Sequence, residues 1–155
     1  MAQHPDECKI CASLSACADG THQGLILEME TGWAVMGDSQ YFLGYALLLC
    51  KMPVADLEEL PPSFRIQFLA EMALLSQAVS RVVRPNKMNL ESLGNQVPHL
   101  HWHVFPRQSF DTAPELPVWL TMPDGDGAAR HAYDPVHHSA LRDAIREELS
   151  RLLSG

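Results

Sequence analysis

His99-Leu100-His101-Trp102-His103-Val104-Phe105 alternates imidazole and apolar side chains with a period of two. That period marks a half-buried β-strand, whose successive side chains point to opposite faces. Leu100, Trp102 and Val104 are therefore expected on a core, with His99, His101 and His103 in a row on the other face. Same-face neighbours on a strand stand roughly 6–7 Å apart, at a rise of about 3.3 Å per residue. One bound group can then touch two or three of the rings. A merely structural strand or a metal cluster would show the same spacing.

Working outward, Lys87–Leu93 reads as another strand, joined to the histidine strand through a tight turn at Gly94-Asn95. Upstream, Ser63–Arg84 is the main helix. Phe68, Met72, Leu75, Val79 and Val82 recur along it at three- and four-residue steps, and Pro85-Asn86 ends it. Asp56–Glu59 looks like one capped turn. Before it come three short strands, Leu25–Met29, Trp33–Met36 and Gly44–Cys50, separated by Glu30-Thr31-Gly32 and by a loop from Gly37 to Gln40. Short connections imply antiparallel pairing. Residues 1–24 read as polar and irregular. Residues 108–135, rich in Pro, Gly and Asp with Trp119 as the large anchor, read as an extended loop. A terminal helix is expected over 136–153, with Leu141, Ile145, Leu149 and Leu152 on one face. The expected fold is α+β: a five-stranded antiparallel meander with a long helix on one face and a C-terminal helix, all in one domain over 1–155.

Composition narrows the function classes. Apolar residues make up 46% and charged residues 19%, the balance of an ordinary globular protein. The net charge of −8 speaks against binding nucleic-acid polymers or anionic membranes. A phosphate ligand would need a local exception, for which Lys51, Lys87, Arg107 and the imidazoles are the candidates. No run reaches the 18 or so apolar residues of a membrane span, and Met1–Ile10 lacks a secretory pattern, so a cytoplasmic location is expected. There, Cys8-x-x-Cys11 reads as metal or redox chemistry before it reads as a disulfide. No Gly-x-Ser-x-Gly stretch supports acyl transfer through a serine.

The block LGNQVPHLHWHVFPR, residues 93–107, resembles the active-site segment of the histidine-triad (HIT) hydrolases. Their motif is His-φ-His-φ-His-φ-φ, with φ apolar, and His99–Phe105 match it at all seven positions. The order β-β-β-α-β-β over about residues 25–107 is similar to theirs as well. The resemblance implies a nucleotide hydrolase or nucleotidyl transferase acting on a phosphoanhydride or phosphoramidate, such as a diadenosine polyphosphate or an AMP conjugate. His101 would be the nucleophile that carries a nucleotidyl intermediate, while His99 and His103 orient it and bind phosphate. Imidazole suits that task because its ordinary pKa, about 6.5, leaves it unprotonated at neutral pH.

By the same resemblance, Asn89, Asn95 and Gln96 are substrate contacts. Gln96 stands where many relatives have Ser or Thr. Tyr45, counted with them among the substrate-binding positions, replaces a fourth histidine of the family and can still hydrogen-bond an imidazole. Asp38, one residue from the family's ribose-binding acid, is a candidate ribose contact, and Leu25, Leu27 and Phe42 are candidates for a base cleft. No cofactor is required, but some bacterial relatives hold structural zinc. Cys8, Cys11 and His99 match three of those ligands, Pro53 occupies the place of the fourth, and Cys17, His22 or His4 would have to substitute. The family commonly forms homodimers through the long helix and the sheet edge. A nucleotide sensor with weak catalysis and a plain zinc-binding protein are the alternative functions.

Overall fold

The structure, a computed structural model, describes residues 8–155. The described chain begins with a helix, α1 (Lys9–Ala18), where irregular chain was expected. Cys8 caps it, its sulfur accepting from the Cys11 amide at 3.4 Å. Ile10, Leu14 and Cys17 follow at helical spacing and pack on Val35 and Leu49 of the sheet. The intervening Ala, Ser and Cys residues are too short to make that stripe conspicuous in the sequence.

Three strands follow, β1 (Leu25–Glu28), β2 (Gly32–Met36) and β3 (Ala46–Cys50), paired antiparallel in sequence order. The long helix α2 (Pro62–Val83) starts with Pro at its first position, where the missing N–H costs nothing. It ends on Arg84 in the left-handed region (φ 54°), directly before Pro85. Two further strands, β4 (Lys87–Glu91) and β5 (His101–Arg107), complete one five-stranded antiparallel sheet. Its order is β1-β2-β3-β5-β4. The crossover through α2 carries the chain one place beyond β3, so β4 becomes the edge and β5 returns into the gap. Strand periodicity predicts the number of strands and their faces but says nothing about this order.

Phe68, Leu75, Ala78 and Val79 of α2 are wholly buried against the sheet. Full burial of one such large side chain is worth about 2–3 kcal/mol. The expected stripe is therefore the core face, with Met72 and Val82 at its margins. By length and composition α2 also meets the measure of a membrane-crossing helix. Its interior, however, includes Glu71, which is 0% exposed and accepts from the Thr31 amide (3.1 Å), the Thr31 hydroxyl (2.6 Å) and Gln67 (3.2 Å). This carboxylate rivets the β1–β2 turn to the helix.

Residues 108–135 contain two short helices, α3 (Val118–Thr121) and α4 (Gly125–Arg130). The terminal helix α5 (Ser139–Ser154) begins three residues later than expected. Asp134 delays it by accepting from the amides of Val136 (2.8 Å) and His137 (2.7 Å), which holds those residues in a turn. Ile145 and Leu149 of α5 pack beside α2 and close the core.

Candidate functional site

β5 lies between β3 and β4, with His101 opposite Leu49 and His103 opposite both Leu47 and Glu91. Leu100 and Val104 are buried in the main core and Trp102 packs against it, as the alternation requires. The expected row of three rings is only partly realised. Pairing with β3 begins at His101, so His99 precedes the strand and is 0% exposed. Its Nε2–H donates to the Cys50 carbonyl at 2.8 Å, and its Nδ1 faces Cys8 Sγ at 3.6 Å and Cys11 Sγ at 3.5 Å. The ring is turned to the cysteines, while the carbonyl of the same residue serves the next histidine.

The hydrogen bonds assign the tautomers. His101 Nδ1 lies 2.6 Å from the His99 carbonyl, which can only accept, so Nδ1 carries the proton and Nε2 the lone pair. His103 Nδ1 lies 2.6 Å from the Tyr45 hydroxyl. Burial pushes the Tyr45 phenol far above its ordinary value, so it keeps its proton and can donate a hydrogen bond to Nδ1. With the phenol as donor, the ring's own proton sits on Nε2 and faces outward. Both imidazoles are held neutral. Burial lowers His101, against a smaller opposing effect of its bond to His99. Burial, with the His101 ring beside it, lowers His103 to about 4. The two rings meet edge to face with centroids 4.6 Å apart.

Tyr45 reaches this position because Gly37 has no side chain: a Cβ there would overlap the phenol ring. The ring stacks on Phe105 at 4.0 Å and is 6% exposed. Tyr45, expected among the substrate contacts, thus stands behind His103 and orients it, away from the cleft.

His101 and His103 open on a cleft of about 440 Å³ whose other walls are Leu93, Gly94, Asn95, Gln96 and Val97. Asn95 and Gln96 are accordingly brought to the two rings. Asn89 shares the sheet face of the rings but stands outside the cleft wall, where Arg107 engages it, Nη1 donating to Asn89 Oδ1 at 3.0 Å. Asp38 is exposed at the end of β2 and takes no part in the cleft wall; its carbonyl accepts from the Tyr133 amide at 2.7 Å. Leu25, Leu27 and Phe42 do not form one cleft. Leu25 lies under α1, Leu27 packs on the opposite sheet face, and Phe42 packs on Phe105. A one-residue step in the β1–β2 register, between Leu25 and Leu27, separates the first two.

Of the cations named as phosphate candidates, Lys51 is occupied by Glu28 (2.7 Å) and the Met29 carbonyl (2.6 Å). Arg107 is buried, with Phe42 4.8 Å from the guanidinium carbon. Two residues that the sequence reading passed over also belong here. Ser92 donates to the His101 carbonyl at 2.8 Å, and Glu91 lies opposite His103 with its carboxyl pushed up by burial. Neither stands out in the sequence, because each is an ordinary polar residue in a mixed polar and apolar segment.

Cys8, Cys11 and His99 form a group whose donor atoms lie within 4.8 Å of one another, a spacing that could hold a metal ion. With Nε2–H committed to Cys50, the Nδ1 lone pair of His99 is the end presented to the thiols. Two sulfurs and one imidazole suit zinc. The expected substitute ligands do not join them among the described residues. Cys17 is buried between α1 and the sheet, His22 Nδ1 accepts from the Gly24 amide at 3.2 Å, and His4 lies outside the described residues.

The family model described as the HIT domain matches residues 23–110. No curated protein sequence matches the chain. Among solved structures, it is similar to a histidine triad protein from Bradyrhizobium japonicum (24% identity, 81% of this chain and 89% of that one, TM-score 0.71). It is similar also to a hypothetical histidine triad nucleotide-binding protein from Sulfolobus tokodaii (18%, covering 92% and 93%, TM-score 0.68). A third is a zinc-bound histidine triad family protein from Mycobacterium smegmatis (23%, covering 92% and 98%, TM-score 0.54).

Proposed function

This chain belongs to the HIT family, and from that premise we propose that it is a nucleotide hydrolase or nucleotidyl transferase working through a nucleotidyl-His101 intermediate. The observation that carries the reading is the 2.6 Å bond from His101 Nδ1–H to the His99 carbonyl, which leaves a neutral Nε2 lone pair at the cleft. Attack of Nε2 on phosphorus forms the N–P bond as the bond to the leaving group breaks. Nε2–H of His103 donates to a phosphate oxygen as charge gathers there, and the amides of Asn95 and Gln96 supply further donors. Water then cleaves the N–P bond and restores the imidazole.

A nucleoside phosphoramidate or a dinucleoside polyphosphate fits this chemistry, since each offers phosphorus and a leaving group. Incubation with a fluorogenic adenosine phosphoramidate tests it: release of the amine is expected. Binding of nucleotide without any release would leave the sensor reading, which Gln96 in place of a hydroxyl favours.

The cysteine cluster reads as a structural zinc site, in line with the zinc-bound M. smegmatis relative. Bound zinc would tie α1 to the residue whose carbonyl orients His101. Purified protein is expected to carry close to one zinc per chain, and Cys8→Ser protein to carry none. Equal metal content in the two would overturn this assignment.

The family's homodimer is proposed here as well. β4 is a sheet edge, α2 exposes Ile66 (69%), and Leu90 and Leu93 are exposed near that edge. A monomeric mass by light scattering at micromolar concentration would refute it.

A further inference from the structure

We propose that Arg107 is a positioning residue: it holds the Asn89 side chain so that the amide NH2, and not the carbonyl, faces the phosphate of a bound nucleotide. The proposal rests on the reading of the His101–His103 cleft as a nucleotide site. A guanidinium has five N–H donors and no acceptor. That of Arg107 is 3% exposed. Nη1 donates to Asn89 Oδ1 and to the Leu116 carbonyl, both at 3.0 Å, and Nε donates to Asp111 Oδ2 at 3.2 Å. Because Arg107 can only donate, Asn89 turns its oxygen inward. A flipped amide would set N–H groups against the guanidinium. The outward end is therefore Nδ2, which makes no hydrogen bond among the described residues.

Register decides where that end lies. Asn89 is opposite Phe105 and Glu91 is opposite His103, on the face that carries His101 and His103. Asn89 lies beside the cleft, not in its wall, in the adjoining depression lined by Glu91 and Leu116. Diagonal neighbours on an antiparallel pair are roughly 7–8 Å apart, so a phosphate group that extends from His103 across Glu91 comes within reach of the Asn89 amide. The presence of Glu91 makes the orientation matter more. Beside that carboxylate, an outward carbonyl would add to the repulsion of an anion, whereas an outward NH2 opposes it. A guanidinium that served only to staple residues 108–118 would need Asp111 and Leu116 but not Asn89. Planarity is what lets one side chain bond all three.

The test compares binding of AMP and of adenosine, which differ only in the phosphate, to the unaltered protein, to Arg107→Lys and to Asn89→Asp. Lysine keeps the charge but loses the planar fork. AMP binding is expected to weaken about tenfold in Arg107→Lys while adenosine binding changes less than about twofold, the size of one hydrogen bond to a charged group. Asn89 is a partly exposed strand position, so Asn89→Asp tests the same point if the lysine variant fails to fold. Its aspartate can still accept from Arg107 but presents oxygen outward, and the same selective loss of AMP binding is expected. Equal losses for AMP and adenosine in Arg107→Lys, or AMP binding by Asn89→Asp as tight as by the unaltered protein, would overturn the proposal. An unaltered protein that shows no preference for AMP over adenosine would instead overturn the nucleotide reading, and this proposal with it.

Discussion

Replacing His101 with Asn is expected to lower turnover of an adenosine phosphoramidate by at least about a thousandfold, or roughly 4 kcal/mol of barrier at 1.36 kcal/mol per decade. Asparagine retains a donor for the His99 carbonyl but has no lone pair with which to attack phosphorus, so nucleotide binding should survive the change. His103→Asn should cost less, because in the proposed mechanism that ring only donates to the phosphate and forms no bond to phosphorus. His99→Asn should act by a different route. It leaves the backbone carbonyl that orients His101 in place, but removes the donor to Cys50 and the nitrogen facing Cys8 and Cys11. Its expected signature is loss of metal and of stability, with a smaller loss of turnover. Single-turnover kinetics on the three variants check the ranking. His101→Asn protein with near-normal turnover would refute the nucleophile assignment. Three variants equally impaired, and all depleted of metal, would point to a metal cluster instead.

The second large effect is on stability. His103 has its pKa lowered to about 4 by burial and by the neighbouring His101, against about 6.5 in an unfolded chain. Between those values the unfolded state binds a proton that the folded state refuses, so stability falls as pH falls through this window. The contribution is fully present above about pH 6.5 and is gone below about pH 4, a change of about 3 kcal/mol. Carboxylates such as Glu148, lowered to about 2 by Arg151 and Arg81, lose their contribution at lower pH still. Urea unfolding at pH 7 and pH 4.5 should show a clearly smaller loss for His103→Gln than for the unaltered protein. Identical pH dependence in the two proteins would mean that the ring is not held neutral by its surroundings.

The sequence made some features legible because a single period controls them. The alternation over 99–105 gave the two faces of β5, and the stripe from Phe68 to Val82 gave the buried side of α2. Asn95 and Gln96 reach the rings on a nine-residue connection, 92–100, in place of the tight turn expected at Gly94-Asn95, and that loop forms the wall facing His101 and His103. What the period could not express was tertiary. His99 leaves the row because strand pairing starts two residues after it, and the cysteines that claim its ring are some 90 positions away in the chain. The same holds for α1, whose short apolar side chains become a stripe only against Val35 and Leu49. Tyr45 was readable as a partner for an imidazole, but its place behind His103 depends on the bare backbone at Gly37.

The insertion of β5 between β3 and β4 bears on how the site comes into being. Pairing β3 with β5 joins Leu49 to His101 across 52 positions of chain, whereas the β4–β5 hairpin is local. Closing so long a loop costs entropy that only the finished contacts repay. β4 meets the sheet only through β5, so β1–β3 and α2 by themselves hold much of the scaffold but neither ring of the cleft. The His99 carbonyl, the two neutral rings and the phenol behind them are brought into register by one and the same pairing, that of β5 with β3. A chain whose β5 is unpaired therefore lacks the cleft altogether, and the integrity of the site is tied to the completeness of the sheet.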